Sequence, residues 1–310
     1  MIKPKKLKKG DTIGLIAPSS DANKKRVDKS IEYLKSLGFK VKIGDSCYSK
    51  YGYLAGKDDL RVKDIHNMFS DKEVDGIICI RGGYGVSRIL DKIDYDIIKN
   101  NPKVFVGYSD ITALHIAIHN ECNLITFHGP MTVSNMEDGL DDFSLESFRN
   151  TLMNNDIIGR VNNPKGEKIT TLVKGKTQGK IIGGNLALIS ATIGTPYEID
   201  IKDKILFIEE IGEEPFRIDR MIMQLKLSGK LDEVKGIVLG DFNKCEPEDP
   251  NDHNLMKVIE DLLVSLNKPM IFNIKSGHCS PIITLPLGAE VELNADEGEL
   301  IIKESVTIDG

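Results

Sequence analysis

Short apolar runs that stop at Gly, Ser or Asp and hand over to a segment of helical period recur through the first 130 residues. Residues 12–18 (TIGLIAP) end in Ser19-Ser20-Asp21, and Val27, Ile31 and Leu34 follow at the spacing i, i+4, i+7 before a stop at Gly38. Residues 39–43 (FKVKI) alternate as a strand does, and residues 58–70 place Val62, Ile65 and Phe69 on one helical face. Residues 74–80 (VDGIICI) form an apolar run closed by the loop Arg81-Gly82-Gly83-Tyr84-Gly85. Uninterrupted apolar strands are covered on both faces. Their alternation with helices predicts an open, mostly parallel α/β sheet with helices on both faces. Ligands of such sheets sit outside the carboxyl ends of the strands, which is where Gly82-Gly83 would lie.

The next run, KVFVGYSDIT at residues 103–112, places Ser109 between a strand and the helical pattern ITALHIAIHN. A serine at that turn lies beside the first free N–H groups of the helix, a position suited to a nucleophile. Ser109-Asp110 before an apolar helix would equally serve as an N-cap. The spacing departs from G-x-S-x-G, so this stretch alone leaves both readings open.

From about residue 136 to 179 the apolar periodicity fades, with a helix expected near 145–153 followed by a crossover. A second domain then opens with a strand at 179–182, Gly183-Gly184-Asn185 at a helix start, and a strand at 205–208. A helix at 217–227, a strand at 236–239, a helix at 254–266 and a strand at 270–274 follow, and two apolar runs around Asp296-Glu297-Gly298 read as a hairpin. The expected organisation is an N-terminal α/β domain at 1–150, a linker at 151–178 and a C-terminal domain at 179–310.

The chain's 310 residues can bury two cores. Its net charge of −6 gives no electrostatic footprint for nucleic acid, and the basic stretch at residues 3–9 reads as solvated. The N-terminus has no apolar signal region and no run approaches a membrane span, so a cytoplasmic protein is expected. Five cysteines without a CxxC pair suggest reduced thiols rather than disulfides or a zinc site.

Among candidate motifs, the glycine loop lacks a dinucleotide fingerprint, because Gly83-x-Gly85-x-x-Arg88 ends in arginine, and no Walker sequence is present. Glycines after a strand also let two backbone N–H groups converge on one point, as an oxyanion hole requires. Glu209-Glu210 follow the apolar run ILFI, where a carboxylate could orient a histidine; a solvated acidic loop is the plain alternative. His278 lies in a Gly-flanked loop after a strand and is placed to act as a base, whereas His66, His115 and His119 fall in helices. His128 follows a strand and would support a site from behind, and His253 sits in the polar loop CEPEDPNDHN, whose spacing matches no metal motif.

Taken in order, GYSD, RGGYG, HGPM, IIGGNL, GTPYE, ILFIEEIGEEPFRIDRM, GIVLGDF and GHCSPIITLPLG resemble the LD-carboxypeptidases, serine peptidases of the muramoyltetrapeptide carboxypeptidase type. The resemblance runs from residue 12 to residue 290. It implies a flavodoxin-like N-terminal domain, a smaller β-rich C-terminal domain, an active site in the groove between them, and a homodimer. It also implies Ser109 as nucleophile, His278 as general base, Glu209 as the orienting acid and the N–H groups of Gly83 and Asp110 as oxyanion hole. The family often has Glu-Asp where this chain has Glu209-Glu210, so Glu210 competes for the acid's role. The implied substrate is a murein tetrapeptide losing its terminal D-alanine, with no metal or organic cofactor. Arg81, with Tyr84 beside it, is the expected partner of the substrate's carboxylate. Two other functions fit the same chain: a self-immunity peptidase of the microcin C type acting on a peptidyl-nucleotide, and a non-catalytic protein closing on a small ligand.

Overall fold

The computed structural model describes residues 1–310 and contains two sheets. The first is built from β1 (Thr12–Ile16), β2 (Lys40–Ile43), β3 (Gly76–Cys79), β4 (Val104–Gly107) and β5 (Thr126–His128). These five run parallel, in the spatial order β5-β4-β3-β1-β2. β3 and β4 are buried along their whole length, as their unbroken apolar sequences require. Five helices connect and cover these strands: α1 (Lys24–Ser36), α2 (Asp58–Ser70), α3 (Tyr95–Asn100), α4 (Thr112–Cys122) and α5 (Asp142–Leu152). α1 starts where Asn23 caps the Lys25 N–H, and it buries Val27, Ile31 and Leu34, the positions its sequence spacing selects.

The second sheet draws on β6 (Gly159–Arg160), β7 (Thr170–Val173), β8 (Lys176–Asn185), β9 (Ile205–Ile211), β10 (Gly236–Asn243) and β11 (Met270–Phe272). β12 (Leu285–Leu287) leaves it, and β13 (Glu290–Asn294) and β14 (Glu299–Ile302) complete it. Its order is β6-β14-β13-β8-β9-β10-β11-β7, with a parallel centre, β8 to β11, and antiparallel flanks. Helices α6 (Leu186–Ala191), α7 (Pro215–Leu227), α8 (Lys230–Glu233) and α9 (Leu255–Leu262) accompany the parallel strands. The mixed α/β architecture with a mostly parallel first sheet agrees with the sequence reading.

The path of the chain between the sheets differs from that reading in two places. Residues 151–178, expected as a linker, contribute β6 and β7 to the second sheet. β12, from the expected C-terminal domain, pairs antiparallel with β5 at the edge of the first sheet. All three strands lie at sheet edges, where few residues and mixed polarity suffice and apolar periodicity is weak. One continuous core consequently runs from Leu15, Ile78 and Val106 under the first sheet to Phe207, Val238 and Ile271 under the second. No helix is long and apolar enough to cross a membrane.

Candidate active site

β4 ends at Gly107, and the chain turns through Tyr108 and Ser109 into α4. Ser109 sits at φ +65°, a left-handed conformation that strains any residue with a Cβ and recurs at functional turns. Both glycine neighbours make the turn possible. A Cβ on Gly107 would fall 2.7 Å from the Ile111 side chain, and one on Gly82 would fall 2.8 Å from Ser109 Oγ and 3.3 Å from the Asp110 nitrogen. The glycine loop after β3 is thus pressed against the serine. Gly83 adopts φ +118° and its N–H has no acceptor within the chain, while Asp110 lies in the first turn after β4, where N–H groups lack intrahelical partners.

Buried polar side chains fasten this loop. Asp110 Oδ2 accepts from Ser19 Oγ at 2.6 Å and from the Val86 N–H at 3.0 Å, and burial raises its carboxyl above the usual range despite these bonds. Ser20 Oγ accepts from the Tyr84 N–H at 3.1 Å. Arg61, wholly buried on α2, donates from Nη1 to the carbonyls of Pro18 and Gly85 and pairs through Nη2 with Asp58. The capping and nucleophile readings of the serine turn therefore separate onto two residues. Asp110 spends its side chain on the neighbouring loops, and Ser109 Oγ caps nothing and stays partly exposed.

The second sheet brings the carboxyl ends of β8, β9 and β10 to the same place. Glu209, fully buried near the end of β9, accepts at Oε2 from His278 Nδ1 over 2.7 Å. The approach depends on Gly277, whose φ is +124° and on which a Cβ would lie 2.7 Å from Glu209 Oε2. The main chain of His278 is held by Asn243 Nδ2, which donates to its carbonyl at 2.7 Å. With Nδ1 engaged, Nε2 is the nitrogen left to exchange a proton. The imidazole packs edge-on against Tyr108, ring centroids 4.9 Å apart, which sets it beside the residue preceding Ser109.

Electrostatics separate the two glutamates. Burial opposes ionisation of Glu209, but the imidazoles of His128 and His278 outweigh it and hold the carboxyl well below its usual range. Burial likewise works against protonation of His278, and the hydrogen bond and charge of Glu209, with Glu210 and Asp241 further off, more than offset it and raise the imidazole. Glu210 faces the other side of β9. It accepts from Asn185 Nδ2 at 2.7 Å and from the N–H groups of Ala187 and Ile211 at 2.8 and 2.9 Å, and burial pushes it up to about 7. It is bound to the start of α6 and makes no hydrogen bond to His278. Asn185 also donates its N–H to Thr112 Oγ1 at 3.0 Å, tying the second sheet to the first residue of the helix behind Ser109.

Of the residues singled out in the sequence, Ser109 and Asp110 lie against Gly82, the neighbour of Gly83, at the carboxyl edge of the first sheet, and Glu209 meets His278 at that of the second. Arg81 is partly buried and donates from Nη1 to the Asp21 carbonyl at 3.1 Å. Tyr84 is half exposed and packs edge-on against Tyr53 at 5.6 Å. Arg61, Ser20 and Asn185 were not anticipated. Arg61 carried a signal, since it shares the buried face of α2 with Ile65 and Met68 at i, i+4, i+7, and Asn185 carried the signal of a cap at a helix start; Ser20 carried none.

Comparison with known proteins gives concordant results. A sequence model of the LD-carboxypeptidase N-terminal domain matches residues 13–129, and one of the LD-carboxypeptidase C-terminal domain matches residues 178–293. A probable murein peptide carboxypeptidase of Bacillus subtilis is 43% identical, over 98% of this chain and 95% of its own. The crystal structure of muramoyltetrapeptide carboxypeptidase from Oxalobacter formigenes superposes with a TM-score of 0.83 at 29% identity, covering 95% of this chain and 99% of that one. The wild-type apo structure of the microcin C7 self immunity protein MccF superposes with a TM-score of 0.93 at 26% identity, covering 99% and 100%.

Proposed function

The chain belongs to the LD-carboxypeptidase family, and on that premise we propose that it removes the terminal D-alanine from murein tetrapeptide by acyl transfer to Ser109. The observation that carries the reading is the 2.7 Å Glu209–His278 hydrogen bond, with the imidazole packed on Tyr108, the residue before a strained serine. In this mechanism His278 Nε2 accepts the Ser109 hydroxyl proton as Oγ attacks the carbonyl before D-alanine. Glu209 keeps the imidazole in the Nδ1–H tautomer and stabilises the imidazolium that forms. The N–H groups of Gly83 and Asp110 receive the developing oxyanion; one such donor is worth about 3 kcal/mol in a comparable enzyme. His278 then returns its proton to the departing amine, and water, activated by the same histidine, releases the tripeptide and restores the serine.

Arg81 is the proposed holder of the substrate's terminal carboxylate, with Tyr84 lining the approach. The reaction so written draws on side chains and main-chain amides alone. Its setting is the recycling of murein peptides in the cytoplasm, by a homodimer. Incubation with murein tetrapeptide should release D-alanine from the wild type and none from Ser109→Ala. No release by the wild type, or equal release by the variant, would refute the reading.

A second reading rests on the close superposition with MccF, which has been solved with aspartyl sulfamoyl adenosine. The same serine chemistry could cleave a peptidyl-nucleotide. Turnover of such a conjugate by the wild type, with no D-alanine released from tetrapeptide, would favour it.

A further inference from the structure

His128, the last residue of β5, is wholly buried behind the site and is not used in the mechanism above. Its Nε2 lies 3.8 Å from Glu209 Oε1, too close for an intervening water, and neither atom has any other hydrogen-bond partner. A buried carboxylate oxygen without a donor is costly, and so is a buried ring nitrogen without a partner.

The state of the ring follows from its other nitrogen. His128 Nδ1 lies 3.3 Å from Ser276 Oγ, and that hydroxyl lies 3.0 Å from the Ile283 carbonyl oxygen. The Ile283 carbonyl can only accept, is the nearer of the two and receives no other donor, so the single hydroxyl proton of Ser276 is assigned to it, and Ser276 Oγ is left to accept from His128 Nδ1–H. A neutral ring would then turn the lone pair of Nε2 onto a carboxylate oxygen. A second ring proton removes the conflict and gives both orphaned atoms a partner.

We propose that His128 is a positioning residue held as an imidazolium, whose Nε2 forms an ion pair with Glu209 Oε1 across 3.8 Å, fixes the acid's second oxygen and offsets its charge. Glu209 is thereby shared between two imidazoles, one that holds it in place and one that cycles. With its charge partly offset, Glu209 stabilises the imidazolium of His278 less than it would alone, so His278 stays a neutral base to lower pH. The rings of Tyr108 and Phe207, 5.7 and 5.1 Å from His128, enclose it in a low-dielectric pocket that strengthens the pairing. The other groups around the pair do not supply this proton. His115, on α4, has both nitrogens engaged, with Thr126 Oγ1 and the Gly107 carbonyl, and burial pushes it down to about 3. Around His278, Asp241 on β10 is paired with Lys275, Glu210 is committed to α6, and burial raises Cys279 and Tyr108 to about 12, leaving both uncharged.

The inference rests on the assignment of Glu209 and His278 as acid and base, and its test has a readout independent of turnover. In the wild-type protein, nitrogen NMR of the assigned His128 ring should show both nitrogens protonated from about pH 6 to pH 8. One bare nitrogen in that range overturns the proposal, whatever the enzyme's substrate. The second arm is the pH dependence of Ser109 labelling by a fluorophosphonate. His128→Gln retains an amide donor for Glu209 but no charge, and it should move the acid limb up by about one pH unit. His128→Phe should move the limb equally and slow labelling at its plateau at least tenfold further. A folded His128→Gln with an unmoved limb would mean that His128 only fills space. If Ser109 reacts in neither protein, the serine mechanism fails, and the ring nitrogens still decide the state of His128.

Discussion

Gly277 lies so tightly against Glu209 that the main chain there has no room for a side chain. A Cβ at Gly277 would approach Glu209 Oε2 to 2.7 Å and its Cβ and Cγ to 2.9 Å. The carboxylate reaches His278 across this bare stretch of backbone. Gly277→Ala should therefore push Glu209 off the imidazole and lower kcat by at least a hundredfold, with about 1–3 kcal/mol lost from overpacking and from the φ of +124°. Gly212→Ala is the control: Gly212 also has positive φ, +69°, but nothing lies within 4 Å of its Cβ position. It should lose about 1 kcal/mol and keep its activity. Melting curves and kcat measured on both variants separate clash from backbone strain.

The two adjacent glutamates should fail differently. Glu209→Gln removes the acceptor that fixes the His278 tautomer and is expected to lower kcat by about 10⁴ with the fold retained. Glu210→Ala removes the acceptor of three hydrogen bonds at the start of α6 and is expected to cost about 2–4 kcal/mol of stability while leaving a measurable kcat. A Glu210 variant as inactive as Glu209→Gln, with an undiminished melting temperature, would reverse the assignment of the acid.

Activity should have an acid limb set by His278. Its imidazole is raised in the folded protein, and only its neutral form accepts the serine proton, so kcat/KM should fall as pH drops, with a midpoint above the ordinary imidazole value of about 6.5. The same shift has a stability consequence. A raised histidine binds its proton more tightly in the native state, so its stabilisation is complete below about pH 6.5 and is lost as pH rises through the folded value. A rate that stays flat from pH 5 to pH 8 would exclude His278 as the base.

Ser109 carries strain that catalysis requires and stability does not. Replacement of a residue by glycine usually costs about 0.5–1 kcal/mol relative to alanine. At φ +65° the order should level or invert, because glycine adopts that conformation freely and alanine does not. Ser109→Gly should melt no lower than Ser109→Ala, and both should be inactive. A Ser109→Gly protein clearly less stable than Ser109→Ala would show that the turn is not strained.

Much of this site can be read from neighbours in sequence. The strand ending at Gly107, the helix beginning at Thr112 and the glycines at 82, 83 and 277 follow from apolar periodicity and turn chemistry, which act over a few residues. The edge strands β6, β7 and β12 escaped because their pairing depends on what the sheet already contains, not on their own pattern.

The sequence by itself determined that two adjacent carboxylates follow an apolar strand and left either as the acid; because β9 continues to Ile211, their side chains alternate and point to opposite faces. Which face meets a histidine was decided only when β9 was laid between β8 and β10 and the loop after β11 folded over its end. The contacts that distinguish the two glutamates join Glu209 to His278 and to His128, residues far apart along the chain. Local sequence sets backbone conformation through short-range sterics, but the partner of a buried charge is selected by the packing of the whole core, because only there is water excluded from both.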